Sequence, residues 1–293
     1  MEQMVNIIGP TIFGIVLGYV FGRISKASVA PLVVVGMYVL TPCLVFSSVY
    51  SSTVLISQAA KMWASCLIVI AGTFAVAWLV FGLVWKKHTG LYLPIVFANV
   101  INIPLPIIKL AFGDQGVAQT MLFYIPYALL INTVGIYMAS GRKGLRQGLS
   151  VIARTPLIYA VVLALVLNLT GAVLPEGIVR SFGLVGDAAV PVMLIVLGMT
   201  IGGIHLTQLP ATLVASVIRI GGGFCLGLLA VWLLGLTRIP RAVVLFEAAM
   251  PSAIFATVLA SRYENEAELV SSVVLTTTIM AVFVIPVLVY YLS

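Results

Sequence analysis

The chain is a succession of apolar runs, each long enough to cross a bilayer, and two of them are broken by proline near the middle. A membrane-spanning helix needs about 20 apolar residues. Lipid offers no partner for unpaired backbone, so irregular segments at that depth persist only when buried in protein or lining a wet cavity. The first broken run reads Phe97-Ala-Asn-Val-Ile-Asn-Ile-Pro-Leu-Pro-Ile-Ile-Lys109, and the second reads Phe246-Glu-Ala-Ala-Met-Pro-Ser-Ala-Ile-Phe255. Proline cannot donate to the carbonyl four residues back, so Pro106 is expected to free the carbonyl of Asn102 and Pro251 that of Glu247. Paired breaks in corresponding halves of a chain point to the binding site of a secondary transporter.

Composition narrows the class. Of 293 residues, 62% are hydrophobic and only 8% charged, with a mean hydropathy of +1.22; soluble domains carry about 25% charged residues. An all-α polytopic membrane protein follows, with ten spans near 5–22, 28–50, 60–84, 91–112, 117–140, 156–174, 180–202, 207–235, 240–261 and 267–292. No extramembrane domain fits. Glu2 stands where a secretory signal would be basic, so the first run reads as a transmembrane helix rather than a cleaved leader. Cys43, Cys66 and Cys225 have no metal or disulfide spacing and read as packing residues.

The formal charge of +7 lies in short loops, where Lys and Arg set membrane orientation rather than bind nucleic acid. In a ten-span arrangement Arg23, Lys26, Lys86, Lys87, Arg142, Lys143, Arg146, Arg154 and Arg262 fall on one side, and Lys61, Arg180, Arg238 and Arg241 on the other. That asymmetry predicts a multi-pass protein of the cell (inner) membrane, with both termini outside and the polar loop 141–148 in the cytoplasm. The loop divides the spans five and five. An odd number per half makes the second half enter from the opposite side, so related halves must be inverted repeats. The expected organisation is a first repeat at 1–140, a linker at 141–155 and a second repeat at 156–293. Superposing Pro106 on Pro251 places Asn102 on Glu247, and Pro126 and Pro286 recur in the spans that follow.

Ionisable residues within a membrane are costly and mark function by default. Glu247 precedes the second break by one turn. With Asn102 and the backbone at Met250 it forms a hard-oxygen set suited to a sodium ion or a proton. Asn99 and Asn102 share a helical face. Lys109 follows Pro106 in a half-helix whose N-terminus should favour an anion, as should Ser252 and Ala253 at the equivalent end; Lys109 itself reads equally as a side chain that snorkels to an interface. The expected substrate site is thus Asn99, Asn102, Pro104, Pro106, Ile107 and Lys109 with Pro251, Ser252 and Ala253. Arg219 is expected to pair with Glu247 or Asp187, and Asp187 to cap the start of a helix. The spacing Gly14…Gly18…Gly22 suits close helix packing or dimerisation. His88 and His205 have no ligand partners in sequence and read as interfacial residues.

Several of these segments are similar to the auxin efflux carrier family. The run Leu105-Pro-Ile-Ile-Lys-Leu-Ala-Phe-Gly113 after Asn99 resembles its fourth helix. Glu247-Ala-Ala-Met-Pro-Ser-Ala-Ile254, Ala260-Ser-Arg-Tyr263 and Pro286-Val-Leu-Val-Tyr-Tyr291 resemble its last two. Gly186-Asp-Ala-Ala and Leu197-Gly-Met199 resemble its seventh, and Arg154-Thr-Pro156 the opening of its sixth. The resemblance implies two inverted five-helix repeats with broken helices 4 and 9 crossing, a fold shared with bile acid–sodium symporters. It implies a scaffold at about 1–55 and 156–203, a transport domain at about 60–140 and 207–293, and a homodimer. The implied cargo is a small organic anion, and the only implied cofactor is a sodium ion. Glu247 stands about where those symporters bind sodium, whereas the third span lacks the acid of plant carriers. A secondary active carrier is the favoured reading, with an uncoupled uniporter or channel as the alternative. The sequence carries no metal cluster, paired aspartates or Ser/His dyad of an intramembrane enzyme.

Overall fold

Apolar runs with few competing side-chain acceptors fold as helices because a helix satisfies its backbone within the segment. The computed structural model describes residues 2–52, 56–140, 155–200 and 207–292, and among them there is helix and no strand. We number the helices α1 (Glu2–Ser25), α2 (Ala30–Ser51), α3 (Ser57–Val84), α4 (Tyr92–Val96), α5 (Pro104–Ser140) and α6 (Pro156–Thr170). Then follow α7 (Glu176–Met199), α8 (Leu209–Leu234), α9 (Arg238–Ala248), α10 (Ile254–Arg262) and α11 (Ala267–Leu292). Six of these (α2, α3, α5, α7, α8 and α11) are long and apolar enough to cross a membrane by length and composition. The two expected breaks fall at 97–103, between α4 and α5, and at 249–253, between α9 and α10.

Two helix features shape the interior. Gly113 (φ 60°, ψ −152°) kinks α5 where two spans were expected to meet, a backbone conformation that L side chains resist. Wide π-turns interrupt α2 at Gly36–Leu40, α3 at Trp78–Val84, α5 at Ile131–Gly135 and α8 at Ile218–Gly222.

Packing resolves the glycine stripe of α1. A Cβ on Gly18 would stand 2.1 Å from the Ile195 carbonyl oxygen, and one on Gly198 would stand 2.0 Å from that of Ile15. The stripe therefore brings α1 onto α7 within the chain. Helix α2 packs on α6 and α7. The Asn168 amide of α6 donates to the Val49 and Tyr50 carbonyls at 3.1 and 3.0 Å and also to that of Ser52, satisfying the end of α2. Helix α9 packs between α5 and α8, and α3 lies against α5 and α8.

Asp187 falls where two helical stretches meet. It lies exposed at the turn within α7 where Glu176–Asp187 gives way to Ala189–Thr200. The loop after α3 is tied to the loop before α11 by His88 and Glu266 (Nδ1–Oε1 2.7 Å), with the Gly90 N–H on the other carboxylate oxygen at 2.9 Å. Lys86, Lys87 and Arg262 flank the two tied loops in sequence. Residues 141–154, with Arg142, Lys143, Arg146 and Arg154 of the expected linker, lie outside the described residues, as does His205.

Candidate functional site

Each break is a short extended strap, and the two straps bond to each other. The Asn99 N–H donates to the Pro251 carbonyl at 2.7 Å, and the Ala253 N–H to the Phe97 carbonyl at 2.8 Å. An isolated antiparallel bridge between Ala98 and Ser252 results. The prolines act differently from the sequence expectation. Pro104 and Pro106 open α5, where a missing N–H costs nothing. Pro106 therefore lies after the irregular segment rather than breaking a continuous helix. The Glu247 carbonyl is not free either, because it accepts the Met250 N–H at 3.3 Å.

Side chains satisfy the remaining backbone. The Ser252 hydroxyl donates to the Pro94 carbonyl at 2.6 Å, and the Ser252 N–H donates to Thr277 Oγ1 at 3.1 Å. The Tyr127 hydroxyl donates to the Ala98 carbonyl. Arg219, completely buried in the π-turn of α8, binds both helix ends at once. Its Nη1 donates to the Ile95 and Val96 carbonyls at 2.9 and 3.2 Å, and its Nη2 to the Ala248 carbonyl at 2.6 Å. Those carbonyls end α4 and α9, where helices leave acceptors unpaired. This corrects the expected ion pair of Arg219 with Glu247 or Asp187. Gly223 makes room: a Cβ there would lie 2.2 Å from the Ala248 carbonyl oxygen. Removing the Tyr127 hydroxyl (Tyr127→Phe) is expected to lower stability by about 1–3 kcal/mol by orphaning a buried carbonyl, measured as a drop in thermal unfolding temperature in detergent.

A cavity of about 230 Å³ opens between the first strap and α2, α5 and α6. Of the expected substrate residues, Asn99, Asn102 and Ala253 line it. Pro104, Pro106, Ile107, Pro251 and Ser252 do not. Asn99 Oδ1 accepts the Asn102 N–H at 3.0 Å, which leaves Asn99 Nδ2 and Asn102 Oδ1 buried without protein partners. Tyr124, Tyr127 and Asn132 of α5, Tyr38 and Thr41 of α2, and Thr155 add further polar groups to the wall. Sequence reasoning missed these residues, although Tyr124, Tyr127 and Asn132 form a polar stripe at helical spacing on an apolar span. Among the described residues no charged side chain lines the cavity.

The two helix N-termini are not equivalent. In α5, Pro104 and Pro106 have no N–H and that of Leu105 is taken by Ile101 at 3.2 Å. In α10 the N-cap is Ala253, and the N–H groups of Ile254 and Phe255 have no helical carbonyl behind them while both residues line the cavity. Anion-binding donors thus come from one side.

Lys109 stands apart from the cavity. Its ammonium pairs with Asp114 and reaches Ser48 Oγ at 3.4 Å. Asp114, also missed from sequence, lies next to the Gly113 kink. Glu247 is buried, and neither carboxylate oxygen has a hydrogen-bond partner. Thr120 of α5 lies beside it, its own hydroxyl unpaired. Asn102 faces the cavity while Glu247 and Met250 do not line it, so the proposed sodium ligands do not converge on that cavity.

Six helices long and apolar enough to cross a membrane among the described residues, with a polar cavity at two bonded helix breaks, describe a multi-pass membrane protein. Residues 145–289 match a family model described as membrane transport protein. The chain is 29% identical over 285 residues to an uncharacterized transporter of Methanothermobacter thermautotrophicus, covering 93% of each chain. It is 25% identical over 288 residues to an uncharacterized transporter of Methanocaldococcus jannaschii, covering 92% of this chain and 93% of that one. These likenesses support a transport role rather than catalysis.

Proposed function

We propose that the chain is a secondary carrier of a small organic anion, a carboxylate, working by alternating access around the two straps. The observation that carries this reading is the cavity itself. It sets the unpaired Nδ2 donor of Asn99, the amide of Asn102 and the open N-terminus of α10 against a wall of hydroxyls. Helix N–H groups favour an anion, and the amides and hydroxyls fix its orientation. In this reading the chain crosses the membrane ten times as two inverted five-helix repeats. Helices α4–α5 and α9–α10 supply the crossed fourth and ninth spans. The antiparallel bonding of the two straps supports that symmetry. A scaffold of α1, α2, α6 and α7 and a homodimer in the cell membrane complete it. Glu247 is the acid through which an ion gradient is coupled. An uncoupled uniporter of the same fold is the second reading, favoured by the absence of a charged wall among the described residues of the cavity.

Reconstitution into liposomes with labelled mono- and dicarboxylates tests the proposal. Concentrative uptake that collapses with the ion gradient is the expected result; uptake that only equilibrates selects the uniporter. Asn102→Ala is expected to raise KM roughly tenfold or more, the worth of a hydrogen bond to a charged ligand, with membrane expression intact. An unchanged KM assigns Asn102 to packing.

A further inference from the structure

The carrier reading leaves open which cation, if any, belongs at the straps, and the geometry around Arg219 bears on it. Sodium is held by a shell of hard oxygens, commonly carbonyls freed at a helix break together with a carboxylate. Here most of those oxygens already accept a hydrogen bond. The Ala248 carbonyl accepts from Arg219, that of Glu247 from the Met250 N–H, and that of Pro251 from the Asn99 N–H. On the facing strap the Phe97 and Ala98 carbonyls are taken by Ala253 and Tyr127. On the second strap that leaves the carbonyls of Ala249, Met250 and Ser252, with the Thr120 hydroxyl beside the Glu247 carboxylate. A sodium ion there would sit one residue from a guanidinium that is bonded to the adjoining carbonyl.

That guanidinium already does what a cation would do. It neutralises the carbonyl ends of α4 and α9 together and ties them into one unit. It stays charged at any relevant pH, and Gly223 leaves it room, since a Cβ there would lie 2.4 Å from Arg219 Nη2. We propose that Arg219 is a resident cation occupying the place a coupling sodium ion would take between the two broken helices, so that this carrier binds and moves its anion without sodium. The inference rests on the carrier reading for its consequence but not for its test.

The test is the thermal unfolding of the purified full-length protein in sodium chloride and in choline chloride at equal ionic strength. The wild type is expected to unfold at the same temperature in both, because an ion that binds the native state would raise it by mass action. A sodium-specific rise in the wild type overturns the proposal. Arg219→Gln removes the charge and leaves the carbonyl ends exposed to a mobile cation. It is expected to acquire a sodium-dependent rise of about 2 °C or more. Arg219→Lys, which keeps a charge on the spot, is expected to stay insensitive and serves where the Gln variant does not fold. A folded Gln variant indifferent to sodium, or a Lys variant that responds to it, also overturns the proposal. Failure to find any transported organic acid would defeat the carrier reading and leave these unfolding temperatures standing.

Discussion

Gly198→Ala is expected to separate α1 from α7 and to cost at least ~3 kcal/mol, the upper end of ordinary overpacking. A new methyl would stand 2.0 Å from the Ile15 carbonyl oxygen and 2.7 Å from the Tyr19 amide nitrogen. Both obstacles are backbone, which cannot rotate aside as a side chain can. Alanine is otherwise a better helix former than glycine, by about 1 kcal/mol, so the sign of the result tests the contact directly. Thermal unfolding of the purified variant in detergent is the measurement. An unfolding temperature equal to the wild type would mean that α1 is not seated on α7 as described. Gly221→Ala on α8, with nothing within 4 Å of the added carbon, is the matched control and is expected to leave stability unchanged or slightly raised.

Glu247→Gln is expected to leave the fold intact and abolish ion coupling. The side chain keeps its size and an acceptor oxygen beside the Thr120 hydroxyl. An unpartnered carboxylate within a membrane costs at least about 2.5–3.5 kcal/mol when charged, so the acid persists only by holding a proton or a cation. The titratable groups that interact with it are Cys66 of α3 and Tyr127 of α5, with Thr120 of α5 beside it, while α11 presents the hydroxyl of Thr277 to the strap. An amide cannot exchange a proton. The pH profile of uptake should therefore flatten, and accumulation should fall by roughly tenfold, within the range of ordinary site-to-site coupling. Unaltered accumulation with an unchanged pH profile would make Glu247 a structural residue and favour the uniporter.

The sequence located both breaks because proline and flanking polar residues are local signals, and they survive whatever the rest of the chain does. It misjudged how the breaks are made. Pro106 was expected to interrupt a helix, but Pro104 two residues earlier is an equally good helix start, and the chain uses it. The partners of Arg219 were invisible for a different reason: they are backbone carbonyls 29 to 124 residues away, and any residue type carries a carbonyl. Charge complementarity suggested Glu247 or Asp187, but spacing on the chain says nothing about which helix ends meet. The cavity wall from α5 was legible in principle as a stripe of Tyr124, Tyr127 and Asn132. The π-turn at Ile131–Gly135 sits on that stripe and shifts its register, which blurs the period. Lys109 shows the limit of helix-end reasoning. Its position after the break suggested an anion site, but an acid five residues on, past a glycine kink, claims the charge first.

The bonds between the straps also set an order of events during synthesis. Asn99 and Phe97 are made early, yet their partners Pro251 and Ala253 emerge about 150 residues later. Until then the first strap has no strand to lie against, and Arg219, which closes α4, is still more than 100 residues from being translated. The amino-terminal half must therefore wait in the bilayer with open backbone shielded by water or by the insertion machinery. Closure of so long a loop is slow compared with helix formation. Misassembly in this chain should consequently concentrate in products truncated between the two straps, whose hydrophobic spans are formed but whose seam has nothing to close it.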